Sequence, residues 1–211
     1  MGAVIETQER EGVLCRVSYD DCPPNPLRDY DVPCMVLGWH RRYDIGTGET
    51  GREPPPGDRP WFKTPEDYYE WRRENGKELV HEFPLYMYDH GGVVLSLSPF
   101  SCPWDSGQIG FVAMTKDHVK EFFGDSMPWR LKDRREKVVK FVEETLAEYT
   151  AYLNGEVYQY AIQADGEIVA GCGGYIGEVG MKALKKDAAA EMNDIVRRRR
   201  EEESEKTFLT V

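Results

Sequence analysis

"EVYQYAIQADGEIVAGCGGYIG", residues 156–177, decides the fold class. Its two halves are rich in Val, Tyr, Ile and Ala. They meet at Asp165-Gly166, a pair suited to the positive φ angles of a tight hairpin turn. Just upstream, "KDRREKVVKFVEETLAEYTAYLNG" (132–155) sets Val138, Val142, Leu146, Tyr149 and Leu153 at steps of four, four, three and four. That is the stripe of an amphipathic helix over 133–153, stopped by Asn154-Gly155. Downstream, Met181, Leu184, Ala188, Met192 and Ile195 make a second stripe, so 178–203 also reads as a helix. Beyond Val196 the stripe gives way to "RRRREEESEK", a solvated end with opposite charges four apart.

Further out, "FPLYMYDHGGVVLSLS" (83–98) reads as a hairpin about Gly91-Gly92, and "QIGFVAMT" (108–115) as the next strand. "TKDHVKEFFG" (115–124) starts a short helix at Thr115. "TPEDYYEWRRENG" (64–76) starts another, with Thr64 as cap, Pro65 in the first turn and Gly76 as the stop. "GVLCRVSYD" (12–20) alternates like an edge strand, and "CMVLGWHRRYDIG" (34–46) reads as a further strand. Prolines make loops of 20–33 and 47–61. Hairpin-joined strands with helices between them predict an α+β fold. The expected form is an antiparallel sheet of about five to seven strands, covered by helix 133–153. A single domain over 1–177, with a long Pro/Gly loop inside 34–62, precedes a C-terminal helix and charged tail over 178–211.

The 211 residues are 40% hydrophobic and 12% aromatic, enough for a sizeable core. No run approaches the length of a membrane span, and the N-terminal "MGAVIETQEREG" lacks a basic-then-apolar leader. The expected location is the cytoplasm of a host cell. Cys15, Cys22, Cys34, Cys102 and Cys172 form no C-x-x-C pair, so they read as reduced, buried small hydrophobes rather than a zinc ribbon. The net charge is −11. Phosphate backbones are held by concentrated Lys and Arg. Only Arg197–Arg200 offer that, with Glu201–Glu203 directly after them, so direct nucleic-acid binding is disfavoured. An acidic surface instead suits a basic protein groove.

The densest chemistry lies in "YDHGGVVLSLSPFSCPWDSGQIGFVAM" (88–114). Cys102 is a candidate nucleophile, with His90 or His118 as base and Asp105 to orient it. Pro103 opposes this, because it removes the backbone N–H that commonly helps to form an oxyanion hole. Asp89, His90, Asp105 and His118 carry metal-ligating atoms, but no two stand four apart on a helix, so neither a metal nor another cofactor is expected. The favoured reading is structural. Pro99 and Pro103 end strand pairing, Asp105 and Ser106 bond local N–H groups, and Trp104 packs over the sheet end as a plug contributing about 3 kcal/mol.

Tyr88-Asp89-His90, then Phe100-Ser101-Cys102-Pro103-Trp104-Asp105-Ser106-Gly107-Gln108, then Gly110-Phe111, resembles a family of accessory proteins carried by bacteriophages, prophages and other mobile elements. Tyr152-Leu153-Asn154-Gly155 with Val157-Tyr158 is its second hallmark, and the likeness covers roughly residues 78–175. It implies a phage accessory protein and carries over no catalytic residue. Charge and this resemblance together suggest an acidic anti-defence protein that inhibits a host nuclease, of CRISPR or restriction type, by protein–protein contact. Candidate contacts are Glu66, Asp67, Glu70 and Glu74 on the 65–75 helix, Trp61 and the 47–62 loop, and Arg197 and Arg198. A second class is a small enzyme using His90, Cys102 and Asp105 on a nucleotide or small ligand. A third is a virion or regulatory component. The 181–195 stripe is expected to dock either on its own sheet or on a second copy, giving a homodimer through the 178–203 helix.

Overall fold

Asp165 and Gly166 adopt φ of 53° and 85°, and the chain doubles back there as their sequence requires. The structure is a computed structural model describing residues 2–50, 55, 59–124 and 131–209. In chain order its elements are β1 (Val4–Arg10), β2 (Val13–Tyr19), β3 (Met35–Gly38), α1 (Pro65–Asn75), β4 (Leu79–Asp89), β5 (Val93–Ser96), β6 (Ser106–Thr115), α2 (Lys116–Phe123), α3 (Leu131–Leu153), β7 (Val157–Ala164), β8 (Glu167–Ile176) and α4 (Gly177–Leu209). The fold is α+β. All strand pairs are antiparallel, but the strands lie in two four-stranded sheets, β1-β2-β7-β8 and β3-β6-β4-β5, rather than in one sheet of five to seven. The chain clusters into two compact units, Met1–Pro24 with Ala151–Val211, and Asn25–Thr150.

In the first unit, β2 is flanked on both sides rather than lying at an edge. The edge is β1, whose side chains are all exposed and whose alternation is too polar to mark it as a strand. Glu11 and Gly12, at φ 52° and 75°, turn β1 into β2. On the covered face, Val13, Cys15 and Val17 of β2 stand opposite Ala164, Ile162 and Tyr160 of β7. Leu184, Ala188, Met192 and Val196 of α4 close over them. The helical stripe therefore docks on its own sheet. Each buried Val, Ile, Leu or Met among these residues contributes roughly 1.5–3 kcal/mol.

In the second unit, β3, β6 and β4 form a sheet with two clothed faces. Met35, Leu37, Phe111 and Ala113 point one way, toward the buried Tyr68 of α1. The Tyr68 ring stacks 5.4 Å from Phe111, and its hydroxyl donates to Glu82 Oε2 at 2.6 Å. On α3, Val138, Val142, Leu146 and Tyr149 are buried as the spacing predicts. The Arg135 guanidinium lies over Phe83 of β4, and Thr150 Oγ1 accepts from Leu95 N at 3.2 Å. The strand expected over 34–46 shrinks to β3. Beyond it the chain turns at His40, whose Nδ1 accepts from both Arg42 N and Tyr43 N at 3.3 Å, and Gly46 bridges back to Leu37. Gly110 must be glycine, because a Cβ there would lie 1.8 Å from the Leu37 carbonyl oxygen.

Candidate functional site: a braced loop with an exposed tryptophan

β4 ends at Asp89 and β6 begins at Ser106, so the hairpin tip and the loop 97–105 meet at one end of the second sheet. Backbone bonds fix that meeting: Asp89 N donates to Asp105 O at 2.9 Å and His90 N to Gly92 O at 3.2 Å. Side chains brace the loop from within. Ser106 Oγ donates to the Cys102 carbonyl. Cys102 Sγ donates to Asp105 Oδ2 at 3.6 Å, and His90 Nδ1 lies 3.3 Å from the same oxygen. Asp89 is held from the other side by an ion pair with Arg42 and by the Tyr43 hydroxyl at 3.4 Å. Phe100 packs its ring 5.6 Å from Tyr88.

The three candidate catalytic residues therefore do converge, but with the carboxylate at the centre. A nucleophilic dyad needs the thiol to give its proton to the imidazole. Here thiol and imidazole both face Asp105 Oδ2, and the site lies at the surface, with the His90 side chain 72% exposed. Pro103 adds no donor. The arrangement stiffens a loop, and no hydrogen bond joins the His90 imidazole directly to the Cys102 thiol.

Trp104 overturns the expectation of a plug. It is 90% exposed, the most exposed large apolar side chain among the described residues. Burial of a ring requires a neighbouring apolar surface to receive it. The bonds of Asp105, Ser106 and Cys102 set the loop's path, and that path carries the Trp104 ring outward.

The other candidates are spread over both units. Glu66, Asp67, Glu70 and Glu74 are exposed on α1 as expected, although Asp67 also closes the capping box, accepting from Thr64 N at 2.9 Å. Trp61 is half-buried, with Lys63 Nζ 4.4 Å from its ring centroid. Of the surrounding 47–62 loop, residues 51–54 and 56–58 lie outside the described residues. Arg197 and Arg198 both bond Asp194, Arg199 bonds Asp165 at 2.8 Å, and Arg200 bonds Glu11. Each arginine of the basic run is thus matched to a carboxylate inside its own unit. Cys15 and Cys34 are buried as expected, whereas Cys22 and Cys172 are exposed.

His118 is not part of the His90 cluster. It caps α2, its Nδ1 accepting from Thr115 N at 3.3 Å, and it lines a separate cleft of about 390 Å³ with Glu49, Arg59 and Cys34. Burial holds its imidazole below the usual range. Glu49 is only 3% exposed, bonded by the Thr47 hydroxyl and 3.5 Å from Arg59 Nη1. Burial first, and then the Glu49 charge, push the Cys34 thiol up to about 12, which leaves it an inert thiol at neutral pH. The sequence gives no periodic signal for Glu49, since it stands in a Gly- and Pro-rich loop. Among the described residues, no group of three or more His, Cys, Asp or Glu is placed to hold a metal ion, and no helix is long and apolar enough to cross a membrane.

Comparison with known proteins finds no matching family model, no matching curated protein and no matching solved structure.

Proposed function

We propose that this is an acidic accessory protein of phage type that acts by protein–protein contact, inhibiting a host defence nuclease of the CRISPR or restriction class. The observation that carries the reading is Trp104. A 90% exposed tryptophan on a proline-flanked loop is costly to leave in water and is the side chain most enriched at interface hot spots. The loop is braced by Asp105, Ser106 and Cys102, so little ordering entropy is lost when it docks. The net charge of −11 and the exposed Glu66, Glu70 and Glu74 of α1 match the basic nucleic-acid groove that such nucleases present.

The test is binding of the purified protein to a panel of CRISPR and restriction nucleases, repeated at raised salt. Trp104→Ala is expected to weaken binding about thirtyfold, about 2 kcal/mol, at unchanged melting temperature. Charge reversal at Glu70 and Glu74 is expected to slow association, and added salt to weaken binding. Binding indifferent to all three changes, or absent from the whole panel, overturns the proposal. Cys102→Ser separates the enzyme reading: it is expected to leave inhibition intact. Loss of the effect at unchanged stability would point to thiol chemistry instead.

A further inference from the structure

A second feature stands apart from the Trp104 loop. Where the chain leaves β3, Trp39, His40, Arg41 and Tyr43 line a cleft of about 490 Å³ together with Trp61 and Lys63. That volume is within the range of small-molecule sites, and aromatic walls with a few placed polar groups are their usual lining. The walls are fixed. Trp39 Nε1 donates to the Phe62 carbonyl at 3.2 Å, and its ring lies 6.3 Å from Tyr68. His40 stacks on Tyr43 at 5.2 Å with 22° between the planes.

The charges decide what fits. Asp44 also lines the cleft, but both its oxygens are taken by Arg28, at 2.9 and 3.0 Å. Arg41 and Lys63 are not ion-paired with any described residue, so among the described residues the unmatched charge of the cleft is positive in a protein of net −11. An external cation would compete for the Trp61 face with Lys63, which already sits over it. His40 Nδ1 accepts two backbone N–H groups, which leaves the proton of the neutral ring on Nε2, a donor. Burial, with Arg42 next, lowers the His40 pKa and favours that neutral form. The neighbouring Glu49 cleft offers no such opening, because its arginines are already held by Glu49 and Asp44.

We infer that the Trp39–Tyr43–Trp61 cleft binds a planar heteroaromatic anion, specifically a nucleoside monophosphate. The base lies against the Trp39 wall, because Lys63 sits over Trp61 and both His40 and Arg42 pack on Tyr43. The phosphate is held by Arg41 and Lys63. The acidic remainder of the surface repels a long polyanion, which favours the free nucleotide over a nucleic-acid strand.

The experiment is isothermal titration calorimetry on the full chain with AMP, GMP, adenosine, inorganic phosphate and a single-stranded oligonucleotide. AMP or GMP is expected to bind with Kd below about 1 mM, and adenosine and phosphate about tenfold or more weaker. Lys63→Glu and Arg41→Glu are each expected to weaken nucleotide binding about tenfold or more, with melting temperature unchanged. Absence of heat with both nucleotides up to about 5 mM, or affinities unmoved by both substitutions, overturns the inference. An oligonucleotide that binds more tightly than either mononucleotide overturns the assignment to the free form. Trp104→Ala is expected to leave nucleotide binding unchanged, so this result and the nuclease result are independent of each other.

Discussion

His81 sits in β4 with 7% of its surface exposed, its ring parallel to that of Phe83, and its Nε2 without a hydrogen-bond partner among the described residues. Burial first, then the charges of Arg134 and Arg135, hold the imidazole below its usual value. His118 and His40 shift the same way. A depressed histidine is neutral in the fold, while the unfolded chain takes up its proton near pH 6.5. Stability is therefore full above about pH 6.5 and is lost as pH falls below it toward the folded-state value. His81→Phe keeps the flat ring and removes the orphan nitrogen. It is expected to raise stability by about 1–3 kcal/mol, with a larger gain at pH 5.5 than at pH 7.5, read by urea unfolding at the two values. This scale was the least legible from sequence. Tyr68 and Trp104 are both aromatics with polar neighbours, yet one is fully buried and the other projects into solvent. The difference lies in which distant surface meets each ring, and no local pattern encodes that. Glu49 was hidden for the same reason: its burial depends on Thr47 and Arg59 closing around a loop without periodicity.

At the scale of elements the sequence said far more, because the signals are local. Thr64 and Thr115 both cap helices, each accepting from the N–H three residues on. Asp165-Gly166 and Gly91 make their turns with positive φ. The stripe on α3 is buried at Val138, Val142, Leu146 and Tyr149. What escaped was β1, an edge strand whose α4-facing residues Glu6, Gln8 and Arg10 are polar. Its pairing with β2 is a backbone matter that side-chain alternation does not reveal. Two sheets replace one for a related reason. Each hairpin set has its own helix to cover it, α4 on one and α1 with α3 on the other, and alternation along a strand does not say which helix will arrive. Leu184 tests the α4 contact. It is fully buried against Val13 and Ile162, and Leu184→Ala is expected to cost about 2–5 kcal/mol in chemical denaturation. A cost below about 0.5 kcal/mol would mean that α4 does not cover that sheet in solution.

For the molecule as a whole, charge is the dominant legible property. A net −11 opposes compaction through self-repulsion, and dissolved salt screens it. Raising sodium chloride from low concentration to about 0.5 M is expected to raise stability by about 1 kcal/mol, or about 2–4 °C in melting temperature, followed by calorimetry. A fall in melting temperature would show instead that the ion pairs along α4 outweigh the repulsion. The arginine run also reads differently once its partners are known: its four guanidiniums engage three carboxylates inside the unit, Asp194 shared by Arg197 and Arg198, then Asp165 and Glu11.

The first unit takes β1 and β2 from one end of the chain and β7, β8 and α4 from the other. On the ribosome, the early hairpin must wait for roughly 140 further residues, on the order of ten to thirty seconds of elongation, before β7 emerges to pair with it. A lone two-stranded hairpin is only marginally stable in water. Residues 25–150 have everything their sheet needs sooner, so nascent chains halted once residue 150 has cleared the ribosome, but before β7 has, should already protect that segment from proteases while residues 2–24 remain open to cleavage.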